Sequence, residues 1–90
     1  MNQAAQFNQL YWQCRRGMLE LDYYLIPFMR QRYQQLSTSE QDAFKILLEL
    51  PDPELHAYLN GHQQPANAVT HHIVTLVREY AQQSDKSSVF

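Results

Sequence analysis

Phe7-Asn8-Gln9-Leu10-Tyr11-Trp12-Gln13-Cys14-Arg15-Arg16-Gly17-Met18-Leu19-Glu20-Leu21-Asp22 reads as the end of one helix, a turn and the start of another. Phe7, Leu10, Tyr11 and Cys14 fall at i, i+3, i+4 and i+7, which is one stripe of a helix drawn from about Ala4 to Cys14. Gly17 then breaks the pattern, because glycine adopts backbone angles that other residues avoid. From Met18 to about Gln35 a second stripe forms from Met18, Leu21, Leu25, Phe28 and Met29. Pro27 lies inside it, and proline removes a backbone donor and crowds the preceding turn. A kink or break near Tyr23–Pro27 is therefore expected.

The rest of the chain repeats this logic. Ser37 with Glu40 three residues on forms a capping box, and the helix it opens carries Phe44, Leu47 and Leu48 inward before ending near Leu50. Asp52 is expected as the cap of a fourth helix, with Pro53 at its first position and Leu55, Tyr58 and Leu59 facing the core. Gly61 suits a left-handed helix end. A fifth helix is predicted from Ala66 or Asn67 to Gln82, lined by Val69, Ile73, Leu76, Val77 and Tyr80. The fold class is all-α, a compact five-helix bundle: residues 1–82 form a single helical domain, and 83–90 form a flexible polar tail.

Composition narrows the function. The chain has 90 residues, room for one core, and a hydrophobic fraction of 44%, which is ordinary for a folded protein. Seven Lys+Arg against nine Asp+Glu give a formal charge of −2, with no clustered basic face for nucleic acid. No apolar run approaches the roughly 20 residues that span a bilayer, and the first residues lack a secretory signal pattern, so no membrane insertion is expected and the location is read as cytoplasmic. Cys14 is the single cysteine and sits on an apolar stripe, which suits a buried structural thiol better than a nucleophile. His71 and His72 are adjacent, so on a helix they point about 100° apart and cannot share one ion comfortably. His56 and His62 match no zinc spacing. No phosphate loop, zinc-protease pattern or nucleophile elbow is present, so the chain is read as not an enzyme.

The densest polar cluster is Arg15-Arg16-Gly17-Met18-Leu19-Glu20-Leu21-Asp22. A guanidinium can clamp a carboxylate or phosphate through two points, glycine lets another backbone approach closely, and Glu20 falls in a first helical turn where the helix dipole favours it. Trp12 lies toward the flank of the first stripe, where it either fills the bundle edge or serves an interface. Chemistry alone leaves two accounts open: a binding surface, or a solvated turn with a helix break and a dipole partner.

The cluster resembles the R-G-x-x-E signature of the SdhE family, the succinate dehydrogenase assembly factors, with Arg16, Gly17 and Glu20 in the signature places. Trp12, Arg15, Met18-Leu19 and Leu21-Asp22 agree around it, as do Pro27-Phe28, Leu47-Leu48-Glu49, Asp52 with Leu55, and Pro65 further on. The likeness runs from about Phe7 to Tyr80. It implies a helical assembly chaperone that binds the flavoprotein subunit of succinate dehydrogenase, and in bacteria of fumarate reductase as well. Such a chaperone promotes covalent attachment of FAD to a partner histidine while holding no stable cofactor itself. On this resemblance Arg16, Gly17 and Glu20 form the partner-binding surface, with Arg15, Trp12 and Asp22 as neighbours. The chain is then expected to be a monomer that forms one-to-one complexes. Gln9 departs from the pattern, since many relatives carry an arginine there. The same resemblance carries a second reading, an antitoxin of a CptB-type pair acting by protein–protein contact.

Overall fold

The computed structural model describes the backbone of residues 3–87 and the side chains of residues 7–83. Five α-helices follow one another with no strand among the described residues: α1 Gln3–Cys14, α2 Leu19–Gln31, α3 Thr38–Leu47, α4 Asp52–Leu59 and α5 Ala68–Ser87, with a 3₁₀ turn at Tyr33–Gln35. The expected five-helix, all-α architecture is what is observed.

Local chemistry sets most boundaries. Gly17 takes φ +81°, which turns the chain between α1 and α2. Ser37 Oγ accepts from the Glu40 backbone N–H at 3.1 Å and the Glu40 carboxylate accepts from the Ser37 N–H at 2.9 Å, so the capping box is complete. Asn67 Oδ1 accepts from the N–H groups of Val69 and Thr70 and starts α5. Gly61, just after the α4 C-cap Asn60, has φ +86°.

Three boundaries differ from expectation. α2 passes through Pro27 without a break, then yields to the 3₁₀ turn instead of continuing to Gln35. Pro27 has no N–H to offer the helix ladder, but the helix is held by packing of Leu21, Leu25, Phe28 and Met29. Asp52 does not cap α4. The cap position falls on Pro51 with no side-chain cap bond, and the Asp52 carboxylate turns to another partner. α5 runs past Gln82 to Ser87, since no proline or glycine interrupts it. The remainder of the tail expected at 83–90, residues 88–90, lies outside the described residues.

α2 is the spine of the bundle. It packs on α1, α4 and α5, while α3 and α4 close against α5. Phe28 and Phe44 meet at 5.4 Å between ring centroids, Tyr33 lies 5.7 Å from Phe44, and Tyr80 stands edge-on to Phe28 at 6.0 Å. Deleting either phenylalanine would cost about 3–5 kcal/mol, as for buried aromatic truncations generally. This core fixes the corner between α1 and α2 that carries the arginine–glycine cluster.

Candidate functional site

The corner is built from two helix ends. α1 stops at Cys14, and the Arg15 N–H closes a turn onto the Trp12 carbonyl at 3.1 Å. Gly17 reverses the chain, Met18 is extended at φ −109° and ψ 118°, and α2 begins at Leu19. Glu20 and Asp22 then occupy the first turn, where the partial positive charge of the helix end favours carboxylates. Asp22 Oδ1 also accepts the Arg16 backbone N–H at 2.9 Å, which fastens the turn to the helix.

The six residues expected at the site divide into two groups. Arg16 and Asp22 are bonded within the chain. The Arg16 side chain is only 14% exposed, and its guanidinium points into the protein. Nε donates to Asp52 Oδ1 at 2.8 Å, Nη1 to the carbonyls of Leu48 at 2.7 Å and Gln13 at 3.0 Å, and Nη2 to the carbonyl of Leu50 at 2.6 Å. These bonds join the α1–α2 corner to the connection between α3 and α4 and satisfy carbonyls left over at the end of α3. The clamp expected of Arg16 thus closes on a carboxylate of its own chain.

Gly17, Glu20, Arg15 and Trp12 face outward. Nothing lies within 4 Å of the place a Cβ on Gly17 would occupy, so the bare turn opens to solvent. The Arg15 guanidinium sits over the Trp12 ring at 5.1 Å, and Trp12 is 65% exposed. Leu19, one position before Glu20, is 86% exposed, and Met18 and Tyr23 are exposed too. Leu19 and Tyr23 are one helical turn apart and share a face of α2. Large exposed apolar side chains beside an open turn are what a protein-docking surface offers, with aromatic residues and arginine as the usual anchors.

Sequence reasoning missed two partners within the corner and one exposed side chain. Asp52 was assigned to the cap of α4 and instead pairs with Arg16. His56, one turn further along α4, places Nε2 2.5 Å from Glu20 Oε1. Leu19 was seen only as part of the signature, although among the described residues it is the most exposed large apolar side chain. No local spacing could have found these ties, since Arg16–Asp52 and Glu20–His56 each span 36 positions. Gln9 is exposed and lines a groove of about 300 Å³ with Gln13, Lys45 and Glu49, so a lysine stands beside the place of the missing arginine.

Cys14 lies beneath the corner, fully buried. Burial pushes its thiol up to about 12, against a smaller opposing pull from Arg16. A thiol held neutral in this way is a packing group and not a nucleophile. His72 donates toward Glu40 rather than pairing with His71, and among the described residues no group of three or more His, Cys, Asp or Glu side chains is arranged to hold a metal ion.

Residues 8–81 match the family described as the flavinator of succinate dehydrogenase. The chain belongs to that family. It is 46% identical over 67 residues to the FAD assembly factor SdhE of Vibrio cholerae, covering 74% of this chain and 78% of the relative. It is 40% identical over 70 residues to the same-named factor of Yersinia pseudotuberculosis, covering 78% and 80%. The Coxiella burnetii factor is 35% identical over 79 residues, covering 88% of this chain and 96% of its own. The family match begins within α1 and runs into α5, so it takes in both the arginine–glycine corner and the helices that brace it.

Proposed function

We propose that this chain is an FAD assembly factor that docks on the flavoprotein subunit of succinate dehydrogenase and promotes covalent attachment of its flavin. The observation that carries this reading is membership of the flavinator family across residues 8–81, joined to an open corner where Trp12 and Leu19 stand 65% and 86% exposed. The fumarate reductase flavoprotein is a second client of the same surface.

The FAD and the histidine that receives it belong to the partner. This chain contributes no phosphate cradle at the corner, because the Arg16 backbone N–H is taken by Asp22 and its guanidinium by Asp52 and three carbonyls. Its part is positioning rather than acid–base chemistry. Docking speeds attachment only by as much as the corner favours the partner conformation in which histidine and flavin meet. Trp12, Leu19 and the bare Gly17 turn supply the contact, Arg15 stiffens Trp12, and Glu20 presents a carboxylate. Among the described residues no helix is long and apolar enough to cross a membrane, and the factor works as a cytoplasmic monomer forming a one-to-one complex.

Size-exclusion chromatography of the chain mixed with apo flavoprotein subunit tests the docking. A one-to-one complex is expected for the wild-type chain and for a core-neutral surface variant on α5 such as Val69→Thr, and it is expected to vanish for Gly17→Arg and Leu19→Asp. A complex that survives both corner variants would remove the corner from the interface.

A further inference from the structure

Glu20 projects from the first turn of α2, with its side chain 68% exposed. A glutamate so placed samples many rotamers, and a carboxylate that must meet a partner in one orientation loses affinity when it does so. One of its oxygens, however, is held from α4. His56 and Asn60 are four apart, so they stack on one face of that helix, and three bonds run through them in series. The His62 backbone N–H donates to Asn60 Oδ1 at 2.9 Å. A backbone N–H can only donate, which fixes Asn60 Oδ1 as the acceptor and turns Nδ2 toward His56 Nδ1, 3.2 Å away. An amide NH₂ can only donate, so Nδ1 must keep its lone pair and the ring proton sits on Nε2. Nε2 lies 2.5 Å from Glu20 Oε1 and donates to it.

We propose that His56, set in its Nε2–H tautomer by Asn60, is a positioning residue that holds Glu20 Oε1 and presents the second oxygen to a cationic or N–H donor group on the flavoprotein. The inference rests on the docking role proposed above. The relay uses side chains on α4 that the arginine–glycine signature does not include, and it joins the signature carboxylate to the α4–α5 loop. His56 is 27% exposed and Glu20 more so, and exposed pairs of this kind contribute little to stability. The effect is therefore expected in partner binding and not in folding.

Two measurements decide it. In the chain alone, nitrogen-15 spectra of the His56 ring at a pH where it is neutral should show the proton on Nε2 and a bare Nδ1, and Asn60→Leu should yield a tautomer mixture. A proton on Nδ1, or a mixture in the wild-type chain, would overturn the relay. Affinity for the apo succinate dehydrogenase flavoprotein is then compared in a double-mutant cycle. His56→Leu should weaken binding roughly 2- to 5-fold, the range of exposed pair energies. It should have no effect in a Glu20→Ala background, and His56→Gln, which keeps an N–H within reach, should restore most of the loss. An equal loss in the Glu20→Ala background, or no loss in the wild-type background, would refute positioning while leaving docking intact. Failure of the wild-type chain to bind the flavoprotein would refute docking, and positioning with it.

Discussion

Replacing Arg16 with alanine should unfold the corner before it touches any partner. The guanidinium makes four internal bonds, to Asp52, Leu48, Leu50 and Gln13. A hydrogen bond involving a charged group contributes about 1.5–3 kcal/mol when buried. The Gln13 bond is exposed and the Asp52 carboxylate is 41% exposed, so both count for much less. The bonds to the Leu48 and Leu50 carbonyls dominate, and losing them leaves the end of α3 without its donors. The loss comes to about 3 kcal/mol, against a total of roughly 5–10 kcal/mol for a small domain. At about 4–8 °C per kcal/mol the melting temperature should fall by some 12–24 °C. Arg16→Lys should recover part of this, since an ammonium can reach one or two acceptors but not all. Asp52→Asn should cost under about 1 kcal/mol. Urea denaturation followed by circular dichroism reads all three. An Arg16→Ala midpoint within about 0.5 kcal/mol of wild type would refute the clamp and return Arg16 to the partner surface. The point matters for function, because an inactive Arg16 variant says nothing about docking unless it is assayed where it remains folded.

Other expectations follow from neighbouring features. Gly17→Ala should fold with a loss of about 1–2 kcal/mol, since the added Cβ meets open space but φ +81° is strained for any L side chain; thermal melts check it. Gly61→Ala should cost about as much as Gly17→Ala, because the same φ strain applies and the Arg78 guanidinium 2.9 Å from the new Cβ is the end of a flexible side chain that can swing aside. Bonds from His72 and the Ser37 N–H hold the Glu40 carboxyl below the usual carboxylate range. The unfolded chain therefore takes up that proton first, and the contribution is complete above the ordinary glutamate range and lost as pH falls through the lowered folded value. Glu40→Gln should flatten the acid limb of a stability–pH curve, and an unchanged limb would contradict the assignment. Cys14 shifts the other way: burial raises the thiol to about 12, so its contribution is intact below the ordinary thiol range and fades as pH climbs toward 12. Thiol-reactive dye should label Cys14 only at the rate of global unfolding, and rapid labelling of the folded chain would contradict its burial.

What the sequence made legible was whatever is decided within a few residues. The Ser37–Glu40 capping box, the Gly17 turn, the left-handed Gly61 and most of the apolar stripes of α2 and α5 rest on local spacing, and the structure has them; Met18 and Val69, placed on those stripes, are instead exposed, because each lies at the start of its helix, beyond the reach of the core. Asp52 was misassigned because a local rule, the preference of aspartate for helix caps, competed with a distant guanidinium 36 positions earlier. The tie between Glu20 and His56 also spans 36 positions, and no periodicity encodes it. The helix end expected at Gln82 falls at Ser87, since composition does not end a helix where neither proline nor glycine intervenes. Arg15 to Asp22 stood out as a polar cluster, but whether each of its side chains faces inward or outward depends on tertiary packing. The charge of Arg16 gave no sign that its guanidinium would turn inward while Leu19 stood open to solvent.

Covalent flavinylation tests the central claim most directly. Apo succinate dehydrogenase flavoprotein is incubated with FAD alone, with the wild-type chain, and with Gly17→Arg, and flavin fluorescence is read on a denaturing gel over time. The rate should rise with wild-type chain until the flavoprotein is saturated one-to-one, and should stay at the FAD-only value with a folded Gly17→Arg variant. A rate unchanged by the wild-type chain, with both proteins folded and FAD bound, would contradict that claim.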